Sequence, residues 1–110
     1  MKRPKFIVID TGDEYEIICG NVELHMNLVP NDTVKVIGGG HFYIDYRNKC
    51  IYFYGKSVDY GVVQHTILNK VVERNGDSIR KQISEIRGIA EPEQITSFRL
   101  MTDDIPYFLL

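Results

Sequence analysis

The chain has 110 residues, 44% of them hydrophobic, and 13 Lys and Arg against 15 Asp and Glu give a formal charge of −2. That length fits one domain, 1–110, with a core large enough to fold without disulfides or a metal. The slightly acidic balance argues against a nucleic-acid partner, and no apolar run is long enough to span a membrane.

The basic start Met1-Lys2-Arg3-Pro4-Lys5 precedes only Phe6-Ile7-Val8-Ile9 before Asp10, too short an apolar run for a secretory leader. Residues 5–10, rich in β-branched side chains, predict a central strand, and Thr11-Gly12-Asp13-Glu14 the turn after it. Tyr15 to Cys19 predicts a second strand, closed by Gly20-Asn21. Next, Leu24, Met26 and Leu28 alternate with His25 and Asn27, which argues for an extended segment with His25 on the face opposite Leu24 and Met26. A short helical turn is the alternative there. Pro30-Asn31-Asp32 breaks the chain, and Val34 to Ile37 predicts a strand.

Gly38-Gly39-Gly40 forgo side-chain packing at a large entropic cost, which implies either a bend or bulge between strands or a close backbone approach. Beyond His41, Phe42, Ile44 and Tyr46 point one way while Tyr43 and Asp45 point the other; Arg47-Asn48-Lys49 turns the chain, and Cys50 to Tyr54 returns antiparallel. The polar loop from Gly55 to Gly61 opens into a helix whose apolar face is Val63, Ile67, Leu68, Val71 and Val72, and Asn75-Gly76 predicts a left-handed cap. Asp77 or Ser78 is the expected cap of a second helix carrying Ile79, Ile83 and Ile86 and stopping near Gly88. After Pro92, Ile95 to Met101 predicts a last strand, and Asp103 to Leu110 an apolar tail docked on the body. This order predicts the α+β class, a single mixed β-sheet of about five or six strands with helices packed on its faces. Cys19 and Cys50 lie in strand-like runs without metal or redox spacing and read as buried, reduced thiols of a cytoplasmic protein.

The strand-to-helix junction is where chemistry is expected. Val58 to Gly61 offer backbone N–H groups, Ser57 a hydroxyl, and the helix dipole favours an anion. Gly55-Lys56-Ser57 matches the end of the phosphate loop of nucleotide hydrolases, but the glycine required five residues upstream is Cys50, so that motif fails. Three scattered histidines and two cysteines form no metal signature, and no nucleophile motif is present. On periodicity alone, His65 shares a helical stripe with Leu68 and Val72 and reads as a packing or hydrogen-bonding residue, and His25 as a surface or satisfied one.

Taken together, Gly38-Gly39-Gly40, the hairpin, Tyr54-Gly55-x-Ser57-x-x-Tyr60-Gly61 and Gln64-His65 resemble, in this order, the small protein-histidine phosphatases of the Janus/Ocnus family. Lys5-Phe6-Ile7-Val8 is similar to that family's first strand with its phosphate-binding lysine, and His25 falls where the family has its catalytic histidine. The resemblance implies a metal-independent phosphatase, without cofactor, acting on phosphohistidine or a related P–N phosphoramidate, with His25 as general base. It further implies that Lys5, Ser57, Asp59, Tyr60 and Gly61 hold the phosphoryl oxygens, with His65, Gly38, Gly39, Gly40 and His41 in support. The implied partners are a phosphohistidine-bearing protein and phosphate ion, with no nucleic acid and no membrane.

Three departures accompany the likeness. His41 stands where the family has an arginine, and twelve residues separate His25 from Gly38 where the family has a full helix. Asp59 stands where the family often has a small residue; at about 4 Å and an effective dielectric near 20 it would repel a phosphate by about 4 kcal/mol, so it must point away, pair with Lys56 or spoil binding. The departures keep a second expectation open, a non-catalytic module of the same fold that binds phosphate or a phosphoprotein.

Overall fold

The computed structural model describes residues 1–86 and 95–101. The expected stop near Gly88, the break at Pro92 and the apolar tail from Asp103 to Leu110 lie outside them. The chain forms β1 (Arg3–Asp10), β2 (Tyr15–Val22), a 3-10 turn (His25–Leu28), β3 (Lys35–Asp45), β4 (Cys50–Tyr54), α1 (His65–Arg74), α2 (Gly76–Ser84) and β5 (Ser97–Leu100). The five strands make one mixed sheet in the order β2-β1-β3-β4-β5, in which β1, β2, β3 and β4 pair antiparallel and β5 joins β4 in parallel. Together with the two helices this is an α+β architecture, and among the described residues no helix is long and apolar enough to cross a membrane.

Side-chain alternation divides the sheet. Phe6 and Val8 of β1, Ile17 and Cys19 of β2, Phe42 and Ile44 of β3, and Ile51 and Phe53 of β4 form one buried cluster with Leu68, Val71 and Val72 of α1 and Ile79 and Ile83 of α2. Phe53 anchors it, edge-on to Phe6 and face-on to Phe98. Gln82 of α2 latches onto β2, donating from Nε2 to the Ile17 carbonyl at 2.9 Å while Oε1 accepts the Cys19 N–H at 2.8 Å. Residues of opposite parity, Lys5, Ile7, Gly39, His41 and Tyr54, necessarily face the other side of the sheet. Both cysteines are buried and free, and burial pushes the Cys19 thiol up to about 12, which makes it unreactive.

Several local expectations are corrected. The three glycines make no bend between strands: they lie inside β3, paired with Val8, Ile7 and Phe6, and the irregularity in the β1–β3 register falls just before them, between Val8 and Ile9. Tyr46 has left the strand and is exposed, so only Phe42 and Ile44 share the buried parity. After Val22 the alternative expectation, a short helical turn, is the one the structure takes, as the 3-10 turn His25–Leu28, and the extended reading falls. Neither Asn75 nor Gly76 adopts a left-handed cap; Asn75, rather than Asp77 or Ser78, precedes the first residue of α2, which is Gly76. A Cβ on Gly76 would lie 3.3 Å from the Phe98 ring, so this glycine serves helix-to-strand packing and not a turn.

Candidate functional site

The site begins with the cross-strand pair Lys5 and His41, which sit opposite one another on β1 and β3. Tyr54, the β4 partner of His41, stacks on its ring with centroids 5.8 Å apart. The 3-10 turn lays His25 against this group, its ring edge-on to His41 at 5.3 Å. Lys5 donates from Nζ to the Val22 carbonyl at 2.7 Å, tying β1 to the end of β2 immediately before the turn that carries His25. That bond engages one of three ammonium donors and leaves two for another acceptor. Burial first, and then the Arg3 charge, hold the Lys5 ammonium below its ordinary range, against a smaller opposing effect of Glu23.

His25 is buried, at 6% exposure, whereas its sequence neighbours Leu24 and Met26 are half exposed. Its Nε2 lies 2.7 Å from the carbonyl oxygen of Gly40. A carbonyl only accepts, so Nε2 carries the proton, and in the neutral ring Nδ1 keeps its lone pair. Among the described residues no buried side-chain nitrogen or oxygen lacks a hydrogen-bond partner, and Nδ1 makes no such bond; it therefore meets solvent. Gly39 makes room for this placement, because a Cβ there would lie 2.5 Å from the Phe6 carbonyl oxygen and 3.2 Å from His25 Cδ2.

The loop from Gly55 to Gly61 reaches the same strand from its other side. Gly55 and Gly61 have φ of 73° and 79°, a left-handed conformation that glycine adopts without strain. Between them, Ser57 and Gly61 exchange both backbone hydrogen bonds, at 2.8 and 3.2 Å, and the Gly61 carbonyl also accepts the Gly39 N–H at 3.0 Å. Ser57 is buried, and its Oγ accepts the Tyr60 N–H at 3.1 Å. The donors expected from Asp59 to Gly61 thus narrow to Asp59, with Val58 beside it: the Tyr60 and Gly61 N–H groups close the loop on itself, while those of Val58 and Asp59 make no hydrogen bond among the described residues. The Asp59 side chain is exposed and forms no ion pair with Lys56 among those residues. Replacing Ser57 by alanine strands the Tyr60 N–H and is expected to lower stability by about 1 kcal/mol, read as a shift of the urea midpoint.

The first residue of α1, His65, is exposed and lines a cleft of 180 Å³ with Phe6, Tyr54, Gly55, Gln64, Leu68 and neighbouring residues. No hydrogen bond or ring contact links it to His25 among the described residues. The structure therefore groups Lys5, His25, Gly39, Gly40 and His41 tightly, joins the Ser57–Gly61 loop to them through Gly39, and sets His65 in a cleft lined by Gly55 and by Tyr54, the stacking partner of His41. Sequence reasoning had no view of Tyr54 as the stacking partner of His41, or of the Gly40 and Val22 carbonyls that fix His25 and Lys5. Strand parity and register alone could have found Tyr54.

Burial chiefly, and then the neighbouring His25, Lys5 and Arg3, pull His41 down to about 4 from 6.5. His41 is therefore neutral at pH 7. Because the folded state holds the lower value, the unfolded chain binds more protons between about 4 and 6.5; this contribution to stability is complete above 6.5 and is lost as pH falls through that window. The thermal midpoint is expected to fall from pH 7 to pH 4.5 less steeply in His41→Gln than in the parent. Parallel curves would show that His41 does not carry the effect.

No protein-family model and no curated protein matches the chain.

Proposed function

We propose that this chain is a protein-histidine phosphatase, cleaving the P–N bond of phosphohistidine or a related phosphoramidate, with His25 as general base. The observation that carries the reading is the buried His25 ring, oriented by the Gly40 carbonyl with its second nitrogen toward solvent. In the proposed step a water oxygen forms the new bond to phosphorus as the P–N bond breaks. The water proton passes to His25 Nδ1, and the departing imidazole leaves neutral, its other nitrogen having been protonated beforehand. Lys5 and the N–H groups of Val58 and Asp59 would hold the phosphoryl oxygens, with Ser57 keeping the loop closed and the step using no metal or organic cofactor. The reading takes α1 and α2 to cover one face of the sheet, supported by the core they share with the strands, while the opposite face receives a phosphohistidine-bearing protein. Two buried free thiols fit a cytoplasmic setting.

A specific observation favours a second reading, a phosphate- or phosphoprotein-binding module without turnover. The two unengaged loop N–H groups belong to Val58 and to Asp59, whose carboxylate would face the same anion from the loop. Incubation of the protein with a phosphohistidine peptide in chelator, beside a phosphoserine peptide, separates the two. Phosphate release from the first peptide alone is the expected result. Release no faster than spontaneous hydrolysis, with phosphate still raising the thermal midpoint, would leave the module; no release and no stabilisation would remove both readings.

A further inference from the structure

Arg3 opens β1 two residues before Lys5, so strand alternation sets the two cations on the same face, about 7 Å apart along the strand. The β1–β3 ladder begins at Lys5 and His41, and Arg3 extends past it, opposite Val22 of β2. Its backbone is thus fixed in the sheet while its side chain is exposed and makes no hydrogen bond or ion pair among the described residues. The charge is felt throughout the site. After burial it is the next influence holding Lys5 down, it acts on His41 after burial, His25 and Lys5, and it opposes the upward effect of burial on Tyr54. The nearby acid, Glu23, faces the N-terminal ammonium at 4.0 Å and offsets Lys5 only as the smallest of its three influences. Arg3 and Lys5 therefore impose a positive field on the face that holds the neutral His41 and the solvent-facing Nδ1 of His25.

We propose that Arg3 is a substrate-binding residue whose guanidinium takes two oxygens of a phosphoryl group seated over Lys5, His41 and His25. The inference rests on the phosphatase reading for its choice of ligand and names a contact that reading does not include. A planar fork of donors matches a phosphoryl group better than a point charge does, and an exposed guanidinium without a partner among the described residues has no bond to them to surrender on binding. Charge-assisted hydrogen bonds of this kind contribute enough that losing them weakens binding about tenfold.

Inorganic phosphate is the probe, titrated calorimetrically at fixed ionic strength into the parent, Arg3→Ala and Arg47→Ala. Arg47 is also an exposed cation, in the turn between β3 and β4, and controls for net charge. The expected result is about tenfold weaker binding in Arg3→Ala, an unchanged thermal midpoint of the free protein, and parental affinity in Arg47→Ala. Equal affinity in Arg3→Ala and the parent would overturn the proposal, as would equal losses in both variants or a parent that binds no phosphate. Arg3-dependent phosphate binding by a protein that leaves phosphohistidine peptide intact would sink the phosphatase reading and keep this one.

Discussion

His25→Gln is expected to reduce turnover of a phosphohistidine peptide by about 10²- to 10⁴-fold, the range a positioned general base supplies. Glutamine retains an N–H donor for the Gly40 carbonyl and much of the ring's bulk, so the 3-10 turn should stay in place. What it lacks is a basic nitrogen. His25→Ala should lose as much activity and also destabilise the fold by about 1–3 kcal/mol, because a buried ring is removed together with its bond to the Gly40 carbonyl. The pair of variants separates chemistry from folding: initial rates in chelator report the first, urea midpoints the second. A His25→Gln variant within a few fold of the parent rate would place the base elsewhere. Lys5 would not replace it, since Lys5 already donates to the Val22 carbonyl and, in the proposed step, would hold the phosphoryl oxygens.

What the sequence displayed well was the short-range pattern. The β3–β4 hairpin is legible because Phe42 and Ile44 alternate with Tyr43 and Asp45, and Arg47-Asn48-Lys49 supplies a turn in which Lys49 takes a positive φ of 53°. The two helices announce themselves by Leu68, Val71 and Val72 and by Ile79 and Ile83. The position of His25 was not legible in the same way, because what decides it is a bond to a carbonyl fifteen residues away. Alternation of Leu24, Met26 and Leu28 reads as a strand, yet Leu24 and Met26 are 50% and 54% exposed and the polar residue between them turns inward. Gly76 misleads for a related reason: Asn-Gly is a turn signal locally, but here the missing Cβ accommodates Phe98 from a strand far along the chain. The resemblance implied that His25 and Lys5 lie together, and both do lie beside His41; it did not imply that the Tyr60 and Gly61 N–H groups close their own loop.

The glycine run shows how one tertiary constraint couples fold to site, and Gly39→Ala tests it with a large structural effect. Gly39 pairs with Ile7 in an interior strand, so its backbone cannot swing away without opening the β1–β3 ladder. The added methyl would lie 2.5 Å from the Phe6 carbonyl oxygen, a backbone atom of the buried β1 strand, and 3.2 and 3.3 Å from His25 Cδ2 and Ile7 Cγ2. Side chains can yield a few tenths of an ångström; the Phe6 carbonyl is held by the sheet. Overpacking of this kind is expected to cost about 3 kcal/mol, a fall in thermal midpoint of roughly 15 °C. The direction of relief also matters. If the strand shifts, Gly40 moves with it and His25 loses the carbonyl that orients its ring, so turnover per folded molecule should fall along with stability. A Gly39→Ala protein that unfolds earlier but keeps parental turnover would show that the glycine serves the sheet alone, with His25 held by other contacts. One whose midpoint moves by less than about 2 °C would show that the ladder absorbs the methyl, and the close approach of β1 and β3 would then not be what keeps this position free of a side chain.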